Sequence, residues 1–304
     1  MYHRKYIFAV SLAFAFISNA NSEPLLIESF ESGDMSVPNE YEFAWGSNNR
    51  TSVVTSDSVV YNNREINVAI PSGRDWNAKH GDHSLRFRYQ AGANMAEQRF
   101  NLGPALEELW MQYWIRVPIN YYHPQSPPTN HKFLAIWMDG YSQKGDGATV
   151  IWEFWGNSDG SSRLAVSFNE GAAGGSEGHQ QHQEFVSPAD QGRWMEITIH
   201  LKASSDNSTR DGIIEMWRRW ENEPASERKL FHQRTDVLLS RPNSGPQGWN
   251  AGYFMGWANS PYSQDTEWLL DHITISRESL LNSSGLNAQA DGNAPNPPVL
   301  SVKK

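Results

Sequence analysis

The chain has 304 residues, a formal net charge of −9 and no cysteine, and 13 of its residues are tryptophan. The acidic balance argues against nucleic acid as a partner, because binding to phosphates requires a basic surface. Without cysteine no disulfide can form, so the chain must be stabilised by its hydrophobic core, with or without a bound ion.

The N-terminus has the pattern of a secretory signal. The basic start MYHRK precedes the apolar run from Tyr6 to Ile17, which is too short to span a bilayer, and small residues follow up to Ala20. Cleavage there removes residues 1–20 and leaves 23 basic residues against 34 acidic ones, a net charge of about −11. We therefore expect a secreted protein, extracellular or periplasmic, with no membrane-spanning segment.

Nine short segments rich in β-branched and aromatic residues follow, separated by Gly, Pro, Asn, Asp and Ser. In chain order they read SLRFRYQ, LWMQYWIRV, KFLAIWMD, TVIWEFW, RLAVSFNE, WMEITIHLK, GIIEMWRRW, YFMGWAN and WLLDHITIS. Only ALEELW, 105–110, offers a helical turn. The pattern predicts an all-β jelly roll, a two-sheet antiparallel sandwich, as one domain over residues 23–280. In residues 281–304 the apolar residues do not recur at a regular spacing, so this segment is expected to form a disordered tail or a linker.

Alternation along each strand predicts which side chains face away from the core. The residues placed opposite the core by this rule are Glu153, Trp155, His200, Glu215, Trp217 and Arg219. The same count groups His131 with Trp137 and Asp139, and Tyr253 with Trp257 and Asn259. Tryptophan beside charge on an outer face predicts a groove that stacks a glycan, with a loop folded over the rings as the alternative.

The order of these segments resembles the concanavalin A-like jelly-roll superfamily, and within it the polysaccharide lyases of the alginate, glucuronan and heparin lyase type. The similar passages are ESFESGD, GDHSLRFRY, GRWMEITIHLKAS with DGIIEMW, AGYFMGWANS and TEWLLDHITIS. They cover most of residues 25–277. The resemblance implies a jelly-roll fold with a concave groove, and it specifies this fold better than it specifies a reaction.

The chain also departs from the motifs of these families. FLAIWMD contains no Gln-x-His, and FMGWAN lacks the Lys and Tyr of a Lys-x-Gly-x-Tyr motif, so a lyase would need its acid and base at other positions. Glucanase-type relatives use Glu-x-Asp-x-x-Glu, and from Glu153 to Asn157 the chain offers only the first acid.

β-Elimination on a uronic acid needs a group that neutralises the carboxylate, a base, and an acid for the leaving oxygen. GHQQHQEF, 178–185, supplies such groups, and the glycine-rich NEGAAGGSEG before it suits a flap. In an extended strand His179 and Gln181 share one face, and His182 lies on the other. A mobile polar loop is the alternative, and a metal site built from His179 and His182 is a third reading.

Other segments contribute further candidates for carboxylate binding and proton transfer. The expected catalytic set is His179, Gln181, His182, Arg219, Tyr253, Tyr262, His131 and Lys132. The expected substrate contacts are Arg99, Trp137, Glu153, Trp155, His200, Glu215, Trp217, Trp257 and Asn259. Strand-edge polarity, surface ion pairs and packed aromatic rings are the alternatives for individual members of both sets.

The resemblance also implies a structural Ca²⁺ between the first and last strands. Glu31, Asp82 and Asp271 stand at the positions that it suggests, and oxygen ligands of this kind suit Ca²⁺. The alternative is that these acids cap turns or accept hydrogen bonds from backbone amides.

The sequence therefore predicts a secreted, monomeric polysaccharide lyase that cleaves a uronic-acid-containing polysaccharide by β-elimination, with an acidic polysaccharide as its partner. A carbohydrate-binding protein of the same fold without chemistry is one alternative. Another is a glycoside hydrolase that uses Glu153 and Glu215, which requires these two carboxylates to face each other across the groove.

Overall fold

The computed structural model describes residues 23–37, 40–66, 68, 74–141 and 145–281. The predicted signal at 1–20 lies outside these residues, as does the predicted tail from 282 onward. In the described ranges no helix is both long enough and apolar enough to span a membrane.

The described residues form sixteen β-strands connected by turns and three single-turn 3₁₀ helices. The strands are β1 Leu26–Glu28, β2 Ala44–Asn49, β3 Thr51–Val54, β4 Val59–Asn62, β5 Ser84–Tyr89, β6 Met95–Leu106, β7 Glu108–Arg116, β8 Asn130–Trp137, β9 Thr149–Gly156, β10 Ser162–Asn169, β11 Ser176–Val186, β12 Trp194–Lys202, β13 Gly212–Trp220, β14 Lys229–Val237, β15 Trp249–Trp257 and β16 Thr266–Ser276. All nine segments predicted as strands are strands, which confirms the all-β prediction.

The helical turn predicted at 105–110 is wrong, because this segment spans the end of β6 and the start of β7. Leu106 pairs with Trp249 of β15, and Leu109 pairs with Leu201 of β12. Both leucines are buried in the core. Strand pairing and burial therefore override a local sequence that suits a helix.

The strands form two antiparallel sheets. The nine-stranded sheet has the order β14-β13-β12-β7-β16-β5-β3-β4, with β1 paired to the second half of β16. The seven-stranded sheet has the order β11-β10-β9-β8-β15-β6-β2. Neighbours in the order are often distant in sequence, such as β7 between β12 and β16, as expected for a jelly-roll sandwich.

Three apolar layers follow from period-two alternation. The main core lies between the sheets, where Ile197 and Met216 of the nine-stranded sheet and Trp152 and Phe254 of the seven-stranded sheet belong to one buried cluster. A second cluster, around Trp114 and Trp194, covers the outer side of the nine-stranded sheet. A third, built on Trp137 and Tyr253, covers the outer side of the seven-stranded sheet. The protein thus has two outer faces that are separated by the core.

Candidate active site

A buried glutamate organises the outer face of the seven-stranded sheet. Glu153 lies in the middle of β9 and has 0% exposure. Its Oε1 accepts a hydrogen bond of 2.8 Å from Nδ2 of Asn130, the first residue of β8. Asn259, just beyond β15, donates a hydrogen bond of 2.6 Å to Oδ1 of Asn130. These bonds hold the Glu153 carboxylate in one orientation, which a buried carboxylate requires.

His179 of β11 covers the second oxygen of this carboxylate. Its Nδ1 lies 2.5 Å from Glu153 Oε2, and its ring centroid lies 4.6 Å from that of Trp155. Oε2 has no well-aligned hydrogen-bond donor among the described residues, so the imidazole lies close to this oxygen without donating to it in line. The His179 side chain remains 40% exposed, so the imidazole is accessible to a ligand. A histidine beside a buried carboxylate is suited to accepting a proton, because the carboxylate stabilises the imidazolium that forms.

Two further polar residues, Lys132 and Gln181, lie in the same row of cross-strand neighbours as Glu153. Lys132 of β8 and Ala165 of β10 are its direct strand partners, and Gln181 of β11 pairs with Ala165. The row therefore runs Gln181, Ala165, Glu153, Lys132 and brings an amide and an ammonium to either side of the carboxylate. We call Asn130, Lys132, Glu153, His179 and Asn259 the Glu153 cluster.

A tyrosine pair lies on the adjacent row of the same face. Tyr253 of β15 donates from its hydroxyl to that of Tyr141 at 3.1 Å, and Trp137 contacts both rings. Burial raises the pKa of Tyr253 well above its usual value, and the nearby Tyr141 hydroxyl and Glu97 and Glu153 carboxylates raise it further. Tyr253, whose side chain is buried at 1% exposure, therefore retains its proton across the neutral range.

An ion pair on β6 borders the tyrosines. Arg99 pairs with Tyr253 across the strands and donates from Nε to Oε1 of Glu97 at 2.7 Å. The guanidinium also lies over the Trp137 ring, 5.9 Å from its centroid. With its side chain 41% exposed, Arg99 leaves N–H groups free for an acidic ligand.

Trp257 ends β15 with 45% exposure, and two cavities are lined in part by residues that follow β15 and by residues at the end of β2. One cavity, of about 380 Å³, is lined by neutral residues such as Tyr122, Gln125 and Ser260. The other, of about 460 Å³, is lined by Arg50 and Arg64 among others. An exposed indole offers a surface on which a sugar ring can stack.

His131 and Tyr262 were predicted to serve this site, and both placements are wrong. The register of β8 against β9 shifts between Lys132 and Leu134, so Phe133 and Leu134 both face the core. This bulge reverses the alternation that grouped His131 with Trp137. The His131 ring lies inside the sandwich, where Nδ1 contacts the hydroxyl of Tyr262 at 2.9 Å.

Both residues lie on the core side of the seven-stranded sheet, which separates them from the outer face that carries Glu153. Both are buried, and their rings pack with Tyr89. Burial lowers the pKa of His131 well below its usual value and raises that of Tyr262, so each stays neutral at physiological pH.

His182 lies on the side of β11 opposite His179, as the alternation predicts, and does not join the Glu153 cluster. Its Nε2 lies 2.8 Å from Nδ1 of His232 on β14, which belongs to the other sheet. Burial lowers the pKa of His182, and burial together with His182 and Arg234 lowers that of His232 to about 3. The pair holds the edges of the two sheets together, so a metal site shared by His179 and His182 is contradicted.

The structure also corrects the placement of His200, Glu215, Trp217 and Arg219. All four lie on β12 and β13 of the nine-stranded sheet, so the core separates them from the Glu153 cluster. His200 contacts Glu108 and Glu215 at 2.8 Å each and stacks on Trp110. Trp217 stacks on Trp110 as well. The four do face away from the core, but outward on the opposite side of the molecule.

Arg219 is committed to a structural ion pair on that opposite face. It donates to both oxygens of Glu196 at 2.9 and 2.6 Å, and Arg228 donates to the same carboxylate. The pairing of Glu153 with Glu215 that a hydrolase would need is likewise contradicted, since the two carboxylates lie on opposite faces.

Two of the three acids predicted to bind calcium, Glu31 and Asp271, accept hydrogen bonds from backbone amides. Glu31 Oε1 accepts from the N–H groups of Asp82 and His83, and Asp271 Oδ2 accepts from those of Lys79 and His80. Burial raises the pKa of Asp271 to about 8. In the described ranges no group of three or more His, Cys, Asp or Glu side chains is arranged to hold a metal ion. The fit to Ca²⁺ is thus not evident from this geometry, and calcium binding stays a prediction.

Sequence reasoning missed three residues of this face: Glu97, Asn130 and Tyr141. Glu97 could have been found, because it lies two residues before Arg99 and therefore on the same side of the strand. Asn130 could not, since it shares its face with Trp137 only because of the bulge in β8. Tyr141 lies in the loop after β8, where alternation gives no information.

No protein-family model and no curated protein sequence matches the chain. Among solved structures, a double mutant of alginate lyase Aly36B in complex with alginate tetrasaccharide aligns with a TM-score of 0.49 and 11% identity, over 76% of this chain and 98% of its own. Alginate lyase vAL-1 from Chlorella virus aligns with a TM-score of 0.46 and 9% identity, over 65% and 86%. The exoplasmic/lumenal domain of VIP36, in its Ca²⁺/Man3GlcNAc-bound form, aligns with a TM-score of 0.40 and 11% identity, over 76% and 85%. Alginate lyases are thus among the structures of similar arrangement, but at these scores the likeness carries no argument about activity.

Proposed function

We propose that the protein is a secreted polysaccharide lyase that cleaves a uronic-acid-containing polysaccharide by β-elimination at the Glu153 cluster. The observation that carries this proposal is the half-exposed His179 held against the buried Glu153 carboxylate. The same face carries Lys132, the strand partner of Glu153, and the proton-retaining Tyr253, whose pKa the Glu153 carboxylate helps to raise. Base, positive charge and acid are the three groups that the reaction needs.

In the proposed reaction, Nε2 of His179 removes the proton on the carbon next to the sugar carboxylate. The electron pair forms a carbon–carbon double bond as the glycosidic C–O bond breaks, and the departing oxygen takes a proton from the Tyr253 hydroxyl. Lys132 and the amide of Asn259 neutralise the sugar carboxylate, which makes the neighbouring carbon acid removable. Glu153 positions the imidazole and stabilises its protonated form.

The aromatic side chains of the same face account for binding of the polymer. Trp155 lies beside His179, Trp137 lies beside Tyr253, and Trp257 is exposed at the end of the sheet. Indole rings bind the apolar faces of sugar rings while polar groups around them take up hydroxyls.

The test is incubation of the full chain with alginate, glucuronan, ulvan and glycosaminoglycans, followed by the ultraviolet absorbance of the unsaturated product. We expect absorbance to rise on at least one polymer and to be lost in His179→Gln. His182→Gln is the matched control, because it changes a histidine on the same strand that points to the other side. Reducing sugar without absorbance would indicate a hydrolase, and retention on a polysaccharide column with neither signal would indicate a binding protein.

A second pair of variants tests the role of the tyrosine. Tyr253→Phe removes the proposed proton donor, and Tyr262→Phe removes a buried hydroxyl that contacts His131 and Trp268. Loss of elimination in the first but not in the second supports Tyr253 as the acid. Equal activity of the two variants would contradict that role.

A further inference from the structure

The cavity beside β2 differs in charge from the rest of this acidic chain. It is lined by Asn48, Asn49, Arg50, Arg64, Ile66 and Gln90, with a volume of about 460 Å³. Two of the six residues are arginines and none is acidic, although the chain as a whole has a net charge of −9. A local positive potential can form in a cleft whatever the net charge of the protein.

Internal hydrogen bonds turn the donors of this cavity toward its interior. Arg50 donates from Nε to Oε1 of Gln90 at 3.2 Å and from Nη1 to Oδ1 of Asn49 at 3.0 Å. Both amide oxygens are thereby engaged, which leaves the NH₂ groups of these side chains as donors. Arg64 is exposed and has no ion-pair partner among the described residues. Arginine and amide N–H groups together form a site that favours an anion.

Two contacts link the lining of this cavity to β6, which carries Arg99 of the proposed substrate face. Nη1 of Arg50 also donates to the backbone oxygen of Met95 at 2.9 Å, and Met95 is the strand partner of the exposed Trp257. Asn49 pairs with Glu97, two residues before Arg99. The cavity lining is therefore hydrogen-bonded to the strand partner of Trp257, the indole on which we propose that the polymer stacks.

We propose that the Arg50–Arg64 cavity is a subsite for an anionic substituent of the bound polysaccharide, a carboxylate or a sulfate ester, remote from the bond that is cleaved. This inference rests on the proposed polysaccharide substrate and adds a second charged contact to it. The cavity of about 380 Å³ that is lined by Tyr122 and Gln125 has no charged residue in its lining and therefore has no such preference. The substrate is thus held by charge at one end of the face.

The variant that tests the subsite is Arg64→Gln, because Arg64 is exposed and makes no ion pair that the fold needs. Arg277→Gln is the matched control, since Arg277 is also exposed but follows β16 of the nine-stranded sheet. Binding is measured by calorimetry on the full chain in the His179→Gln background, which removes the proposed base. The probes are alginate oligosaccharides, ulvan oligosaccharides and carboxyl-reduced alginate.

We expect Arg64→Gln to weaken binding of at least one anionic probe by about three- to tenfold, the effect of losing one charge-assisted contact. The loss should shrink at high salt, since exposed charges are screened. Loss with alginate identifies a carboxylate, and loss with ulvan alone identifies a sulfate ester. Carboxyl-reduced alginate should bind both variants equally.

Three results would overturn the subsite: equal binding by Arg64→Gln and Arg277→Gln, an equal loss with the carboxyl-reduced probe, or no binding of any anionic probe before mutation. The subsite and the proposed lyase activity can fail separately. If Arg64→Gln weakens binding of the anionic probes only, but the protein yields no unsaturated product, the subsite is supported and the lyase activity is contradicted. If the protein yields unsaturated product but Arg64→Gln does not change the binding of the anionic probes, the lyase activity is supported and the subsite is contradicted.

Discussion

Replacing Glu153 with Gln tests whether the buried carboxylate acts through His179. The substitution keeps the side-chain volume and can retain the 2.8 Å bond from Asn130 to Oε1. It puts an NH₂ group where Oε2 lies 2.5 Å from Nδ1 of His179. An N–H facing Nδ1 favours the tautomer that carries its proton on Nε2, so the proposed base can no longer accept one.

The expected loss in rate follows from the size of general-base catalysis. A positioned base contributes about 10²- to 10⁴-fold, which corresponds to about 3–5 kcal/mol of activation free energy. The variant should fold, because it removes a charge from a side chain with 0% exposure and keeps its one good hydrogen bond. We expect its free energy of unfolding to change by about 1 kcal/mol or less.

The assay is the initial rate of ultraviolet absorbance on the most active polymer, with kcat and KM determined across pH. Glu215→Gln is the matched control, since Glu215 also contacts a histidine, His200 Nδ1 at 2.8 Å, but on the opposite face. A Glu153→Gln enzyme that keeps more than a tenth of the rate, or a Glu215→Gln enzyme that loses as much, would refute the role of Glu153.

Three further outcomes are expected. Trp257→Ala should raise KM about two- to tenfold with kcat unchanged, as expected for loss of one stacking ring, while Trp217→Ala on the other face leaves both constants as they were. Arg219→Leu should lower the free energy of unfolding by about 3 kcal/mol, because it breaks a buried bidentate pair with Glu196. Urea denaturation measures this change, and the activity of the variant should equal that of the unmodified protein. A change in kcat would instead place Arg219 in the active site. Burial lowers the pKa of His123 in the folded protein to about 4. As the pH falls, His123 therefore takes up its proton in the unfolded chain before it does so in the folded protein. The free energy of unfolding should decrease by about 3 kcal/mol between pH 6.5 and 4 for this reason. His123→Gln should flatten this part of the stability curve, and an unchanged slope would contradict the cause.

The fold was predictable because strands leave a local signature. WMEITIHLK alternates apolar and polar residues from Met195 to Lys202, and β12 spans the same nine residues as this segment. GIIEMWRRW corresponds to β13 in the same way. Each side chain's distance from the core depends on its own position in the strand, so period two is enough to assign it.

The candidate site was predictable only in part. Alternation in TVIWEFW placed Glu153 and Trp155 on the outer side, and alternation in GHQQHQEF placed His179 apart from His182. The same reasoning failed in β8, where the bulge at Phe133 and Leu134 reverses the alternation. An inserted residue has no signature of its own in the sequence, because its effect depends on the partner strand.

The sequence by itself determined the all-β class, the strands and, within most of them, the inward and outward side chains, because these depend on neighbours along the chain. Only the tertiary structure decided which outward residues meet. Glu153 and Arg219 both face away from the core, yet they lie on opposite sheets with the whole core between them. Strand order joins segments distant in sequence, and no period within one strand records which sheet that strand enters.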